Sequence, residues 1–228
     1  MKITKQKLAD MIDHSLLRPN ATREQLKNFC EEAMAYRFKA VCVNPIHVPE
    51  AVQLLKGSKV LVCSVVGFPF GAHSQKTKAF ETGEVIRLGA QEIDMVMRVG
   101  ALKEGRDREV MEDIQSVVQS AGGNPVKVIL ETCYLTPEEI IRGCKLSVEA
   151  GAAFVKTSTG FAEGGAKVED IKLMREVVGK DFGVKAAGGI RTLEDALKMI
   201  KAGANRLGTS GSVAIVQAIK IDNSSIKL

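Results

Sequence analysis

The chain has no tryptophan, and its two tyrosines and eight phenylalanines make up only 4% of 228 residues. A surface that grips single-stranded nucleic acid by stacking bases on aromatic rings is therefore not expected. A one-sided charge is missing too. The net charge is +5 and the pI near 8.9, yet lysines and arginines alternate with acidic residues and form no basic run that would track a phosphate backbone. No nucleic-acid partner is expected. No stretch approaches the roughly 20 apolar residues that a membrane-spanning helix needs, so no membrane partner is expected either. The opening segment MKITKQKLADMIDHSLL has neither a continuous apolar core nor a small-residue cleavage site, and does not read as a secretory signal. The five cysteines (Cys30, Cys42, Cys63, Cys133 and Cys144) are odd in number and include no C-x-x-C pair. That pattern suits reduced thiols in the cytoplasm. The three histidines, His14, His47 and His73, lack i, i+4 spacing and an attendant carboxylate cluster. No metal site and no cofactor are expected. No G-x-S-x-G elbow marks a serine nucleophile, and Cys42 and Cys133 read as core residues rather than thiol nucleophiles.

What the chain does have is rhythm. It is 45% hydrophobic and 26% charged, a composition able to bury one large α/β domain spanning residues 1–228. Short β-branched runs are expected as strands at Ile12 to Leu17, Lys39 to Val43, Val60 to Val66, Glu92 to Met97, Val126 to Glu131, Ala153 to Thr157, Gly183 to Ala186 and Arg206 to Gly208. Helical segments follow, beginning near Thr22, Pro49, Ser74, Asp107, Pro137, Val168, Thr192 and Ser210, several at residues that start helices. Thr4 to Met11 reads as an extra short helix before the first strand. Leu88-Gly-Ala90, Ala150-Gly-Ala152 and Ala202-Gly-Ala204 each separate a helix from the next strand, where glycine can turn the chain through the left-handed region. Eight β/α units indicate a (β/α)₈ TIM barrel. The alternative, an open doubly wound sheet, lacks its G-x-G-x-x-G turn after the first strand.

In such a barrel, chemistry gathers at the carboxyl ends of the strands. Lys156 ends the apolar strand Ala153-Phe-Val-Lys, and lysine is rarely buried without a purpose. It is either a solvent-seeking side chain or an amine nucleophile whose desolvation favours the neutral form. Lys185 stands at the equivalent height of the next strand, where one ammonium would disfavour the other. Two lysines facing different sides would lack that coupling. Asp94 lies within the apolar Glu92-Ile-Asp-Met-Val96 and needs a cationic partner, as a counter-ion or as a proton relay. Gly188 and Gly189, with the Gly208-Thr-Ser-Gly-Ser212 loop, offer backbone N–H groups in the seventh and eighth βα loops, a usual phosphate position. With Thr159 and Gly160 they outline a phosphate-bearing substrate.

These segments resemble those of the deoxyribose-phosphate aldolase family over nearly the whole chain. The likeness is carried by Phe154-Val-Lys-Thr-Ser-Thr-Gly-Phe161, Val184-Lys-Ala-Ala-Gly-Gly-Ile-Arg-Thr192, Glu92-Ile-Asp-Met-Val96, Gly67-Phe-Pro-Phe-Gly71, Val41-Cys-Val-Asn-Pro45 and Val128-Ile-Leu-Glu-Thr132. The resemblance implies a class I aldolase of deoxyribonucleoside and carbohydrate catabolism. It would cleave 2-deoxy-D-ribose 5-phosphate reversibly to glyceraldehyde 3-phosphate and acetaldehyde. It further implies Lys156 as the imine-forming nucleophile, Lys185 and Asp94 as proton-transfer partners, and Gly188, Gly189 and Ser210 around the phosphate with Thr159 and Gly160 beside it. By the same resemblance Ser15 orders a water near the carbinolamine, and the partner chain of a dimer or tetramer is another copy. Two positions depart from the pattern: Arg98 replaces a common asparagine, and the tail Ile221-Asp-Asn-Ser-Ser-Ile-Lys-Leu228 lacks the tyrosine that some members use. Another Schiff-base aldolase, a phosphosugar isomerase barrel and a non-catalytic phosphate-ligand binder are the alternatives.

Overall fold

The computed structural model describes residues 2–219 and 226–227. Eight parallel strands close into a barrel: β1 (Ile12–Leu16), β2 (Ala40–Val43), β3 (Leu61–Val66), β4 (Glu92–Val96), β5 (Val126–Ile129), β6 (Phe154–Lys156), β7 (Gly183–Ala187) and β8 (Arg206–Thr209). Each pairs with the next, and β8 returns to β1. All eight strands stand where the apolar runs place them. Around them lie α1 (Lys5–Ala9), α2 (Arg23–Tyr36), α3 (Val48–Leu54), α4 (Gln75–Arg87), α5 (Val99–Lys103), α6 (Asp107–Ser120), α7 (Pro137–Glu149), α8 (Val168–Val178), α9 (Leu193–Ala202) and α10 (Ser212–Gln217). Thr22, Thr136 and Thr192 start their helices with reciprocal capping boxes to Gln25, Glu139 and Asp195. Gly89, Gly151 and Gly203 take positive φ values of 106°, 82° and 119° between helix and strand, as the recurring turn requires.

Four features differ from the sequence reading. The short helix α5 intervenes between β4 and α6, and the last helix begins at Ser212 rather than Ser210 because the Thr209 hydroxyl accepts the Gly211 N–H and folds the intervening loop into a turn. The first helix is shorter than Thr4 to Met11, since Thr4 caps it from outside by accepting from the Lys7 N–H. A two-residue antiparallel ribbon also joins Lys2–Ile3 to Ile226–Lys227, too short to leave an alternating pattern.

The helices also position the loops. On α4, Lys78 is fully buried and donates to Asp113 of α6 at 2.6 Å and to the Val96 carbonyl at the end of β4 at 2.8 Å. One turn on, Glu81 accepts the Gly67 N–H at 2.8 Å, fixing the turn after β3. Burial pushes the Asp113 carboxyl up and the Lys78 ammonium down from their ordinary values, each opposed by its partner. Removing one partner strands the other in an apolar setting. Lys78→Met is therefore expected to cost about 3–5 kcal/mol in urea unfolding, and Lys78→Met/Asp113→Leu to recover most of it. A single-variant cost below about 1 kcal/mol would contradict this.

Candidate active site

Residues two apart on a strand face the same side, so Asp13 and Ser15 of β1 turn inward together, as do Glu92 and Asp94 of β4. Lys127 of β5 stands in register with Asp94, and Lys156 of β6 in register with Lys185 of β7. Barrels of this kind usually fill their interior with branched apolar side chains. This one holds an ionic network instead. Asp94, fully buried, is its centre: Oδ2 accepts Lys156 Nζ and Lys185 Nζ at 2.7 Å each, and Oδ1 accepts Lys127 Nζ at 2.9 Å and the Cys63 thiol at 3.2 Å. Asp13 accepts from Lys185 and, at 2.7 Å, from Arg206. Glu92 takes Lys127 at 2.7 Å and Arg206 at 3.0 Å. At the amino end of β8 the Arg206 guanidinium lies 5.2 Å from the centre of the Phe154 ring, a cation–π contact.

Electrostatics follow from this packing. Burial alone would raise the carboxyls of Asp94 and Asp13. The surrounding cations reverse that, Lys127, Lys156 and Lys185 for Asp94, and Lys185, Lys127 and Arg206 for Asp13, so both are held below the usual carboxylate range. Burial would lower Lys185, but Asp13 and Asp94 hold its ammonium above the ordinary lysine range. The lysines are thus not an isolated like-charge pair, because Lys185 carries a charge already balanced by two carboxylates.

Above the network, at the carboxyl ends of the strands, opens a cavity of about 480 Å³. Ser15, Lys156, Thr159, Gly160, Gly188, Gly189 and Ser210 all line it, while Lys185 and Asp94 lie buried beneath. All nine residues singled out from the sequence are thereby gathered in one place. The cavity wall depends on close backbone contact: a Cβ at Gly165 would lie 2.4 Å from the Gly188 carbonyl oxygen, and the Ala166 N–H donates to that oxygen at 3.0 Å. Gly188 and Gly189 hold φ of 87° and 78°, a conformation costly for any side chain.

Several site residues escaped the sequence reading. Asp13, Glu92, Lys127 and Arg206 complete the network, and each is a charged residue within a short apolar strand, the signal that had singled out Lys156. Arg18 and Arg191 bring cationic side chains to the cavity rim. Glu131 follows β5 with a left-handed φ of 55° and accepts the Thr159 backbone N–H at 3.1 Å. It also accepts the Thr159 hydroxyl, which is thus committed to the protein. Burial pushes the Glu131 carboxyl up, against those hydrogen bonds and Lys156.

The cysteine reading holds for Cys42, which is fully buried in an apolar cluster with Ala40, Cys63 and Val65, its thiol 4.0 Å from Asp94. It needs correction for Cys133, which is only partly buried because it sits in the turn Thr132–Tyr134. Cys42, Cys63 and Asp94 bring possible ligand atoms within 4.8 Å of one another. Both Asp94 oxygens, however, already face ammonium groups, so this donor set opposes a further cation. Arg98 pairs with Glu109 of α6 at 3.1 Å. Of the tail, residues 220–225 and 228 lie outside the described residues.

Comparison with known proteins gives a consistent picture. A model of the DeoC/LacD family of aldolases matches residues 7–217. The chain is similar to deoxyribose-phosphate aldolase of Carboxydothermus hydrogenoformans, 56% identical with 95% of this chain and 97% of the relative covered. It is likewise similar to that of Staphylococcus epidermidis, at 57% identity over 93% and 96% of the two chains. Among solved structures, a deoxyribose phosphate aldolase from Aeropyrum pernix, described as a tetramer, superposes with a TM-score of 0.90 at 33% identity, covering 95% of this chain and 92% of that one.

The network sets how stability depends on pH. Asp13 and Asp94 titrate lower in the folded chain than unfolded, so their contribution is complete above about pH 5 and is lost as pH falls through and below about 3.9. Lys185 titrates higher when folded, so its contribution is complete below about pH 10 and is lost as pH rises past about 10.4. Urea midpoints measured across pH should show a plateau that falls away on both sides. A midpoint that rises from about pH 5 to 3 would be incompatible with this network.

Proposed function

This chain belongs to the DeoC/LacD family of aldolases, and from that premise we propose that it cleaves 2-deoxy-D-ribose 5-phosphate reversibly to D-glyceraldehyde 3-phosphate and acetaldehyde, as an aldehyde-lyase working through a Schiff base. The observation that carries the reading is Lys156 at the cavity floor, sharing one Asp94 oxygen with Lys185. The barrel interior sets four cations, Lys127, Lys156, Lys185 and Arg206, against three carboxylates, Asp13, Glu92 and Asp94. Among the described residues Lys156 is ion-paired to Asp94 alone, whereas each of the other three reaches at least two of the carboxylates. Discharging Lys156 therefore disrupts the fewest pairs, and it is the amine that opens onto the cavity.

In this reading the Lys156 amine attacks the C1 aldehyde of the open-chain sugar, and loss of water from the carbinolamine leaves the imine. The imine draws electrons from the C2–C3 bond as the C3 hydroxyl gives up its proton. Glyceraldehyde 3-phosphate departs and an enamine remains on Lys156. Protonation at C2 and hydrolysis then free acetaldehyde and the amine. Lys185 supplies and recovers protons through the Asp94 oxygen it shares with Lys156. Asp94 is too acidic to store a proton and serves to pass one on. The imine replaces the carbonyl polarisation that a metal would provide, so no metal is required. Ser15 orders the water of the carbinolamine steps. Gly188, Gly189 and Ser210 hold the phosphate with Thr159 and Gly160 beside it, and Arg18 and Arg191 supply positive charge at the rim. The whole chain acts as one domain in the cytoplasm, consistent with its five free thiols. The exposed Ile46 and Phe80, together with the tetrameric relative, support assembly with further copies.

Borohydride reduction in the presence of substrate, followed by peptide mass mapping, tests the assignment. Wild type should carry its adduct on Lys156, Lys185→Leu less on the same residue, and Lys156→Leu none. An adduct on Lys185 in the wild type would reverse the two roles. A carboxylate at Ser210 should in turn repel the phosphate: Ser210→Glu is expected to raise KM for the sugar phosphate about tenfold or more while leaving free deoxyribose nearly unaffected. Equal effects on the two substrates would place the phosphate elsewhere.

A further inference from the structure

His14 alternates with Asp13 and Ser15 on β1, so it points away from the barrel axis, toward the helices. There it is 1% exposed and stacks on Phe29 of α2 at 4.0 Å between ring centres. Both ring nitrogens are engaged: Nδ1 meets the Ser212 hydroxyl at 2.8 Å, and Nε2 meets the Glu32 carboxylate of α2 at 2.9 Å. A carboxylate only accepts, so Nε2 carries a proton. Burial favours the neutral imidazole, against the Glu32 charge, and the neutral ring leaves Nδ1 to accept from Ser212.

The connectivity of Ser212, His14 and Glu32 is that of a hydrolase relay, but Ser212 has no exposed surface and its hydroxyl also lies 3.1 Å from the Thr209 carbonyl. Such a serine cannot reach a substrate. It can fix a loop. Thr209, at the other end of that loop, donates its hydroxyl to the Ile190 carbonyl at 2.7 Å and accepts the Gly211 N–H at 3.0 Å. Ser210, on the cavity wall, therefore sits between two anchors, one to the loop after β7 and one through His14 to α2.

We propose that His14 is a positioning residue for the sugar-phosphate end of the cavity, holding the 209–212 loop in its binding shape through Ser212 with Glu32 orienting the ring. The inference rests on the reading that this loop holds the substrate phosphate. It makes His14 a determinant of selectivity for phosphorylated over free sugars, acting at a distance from the reacting atoms.

Two variants test it without emptying the core. His14→Phe keeps the ring stacked on Phe29 and removes both nitrogens, while Ser212→Ala removes only the hydroxyl. Each should raise KM for deoxyribose 5-phosphate about five- to tenfold, the loss of roughly one buried hydrogen bond, with kcat within about twofold. Kinetics on free deoxyribose should stay unchanged, and the double variant should be no worse than either single one, because both break the same link. Glu32→Gln, which still accepts from Nε2, should retain most of the wild-type KM. Equal losses on both substrates, or additive effects in the double variant, would overturn the proposal. Competition by inorganic phosphate separates the two layers of the argument. If phosphate competes with the sugar phosphate in wild type, and Ser210→Glu abolishes that competition while His14→Phe leaves it intact, the positioning role fails and the phosphate site stands. If phosphate does not compete in wild type, the phosphate site itself fails.

Discussion

One buried carboxylate governs this molecule. Asp94 accepts hydrogen bonds from three ammonium groups that arrive from three different strands, β5, β6 and β7. Each charge taken from water costs several kcal/mol, and only a network in which every member is partnered can offset that cost. The barrel achieves this by giving its inward positions to Asp13, Glu92 and Arg206 as well. Stability and the candidate site are consequently coupled: the cations that keep the carboxylates ionised include Lys156, which also lines the cavity.

The loops above the strands answer a different demand, that of fixing backbone close to a small ligand. The turn at Gly188 touches Gly165 so closely that a side chain at either would push the loops apart. Glu131 holds the Thr159 segment from below, and the Phe68 and Phe161 rings meet edge to face at 5.3 Å, joining the loops after β3 and β6. The cavity is thus walled by contacts between loops rather than by any one of them.

Much of this was legible in the sequence because parallel strands buried on both faces leave near-continuous apolar runs. All eight strands were readable for that reason, and Lys156, Lys185 and Asp94 stood out as charges interrupting such runs. Lys127 in Val126-Lys-Val-Ile129 and Asp13 in Ile12-Asp-His-Ser-Leu16 carry the same signal, a lone charge inside an apolar run, but neither ends its strand. Applying the two-residue period to Ser15 and Asp94 recovers Asp13 and Glu92 as their inward companions. His14 was weighed only as a metal ligand, and its link to Ser212 spans 198 residues, a separation no local pattern encodes. Helix α5 was missed because five residues hold too little periodicity to distinguish a helix from a turn.

The contact of Arg206 with Phe154 carries a consequence for how far the barrel interior can be altered. With its guanidinium against the ring and its charge matched by Asp13 and Glu92, Arg206 anchors the network at the amino end of β8, away from the cavity. A neutral side chain in its place would leave two carboxylates each short of a partner and take the cation from the Phe154 ring.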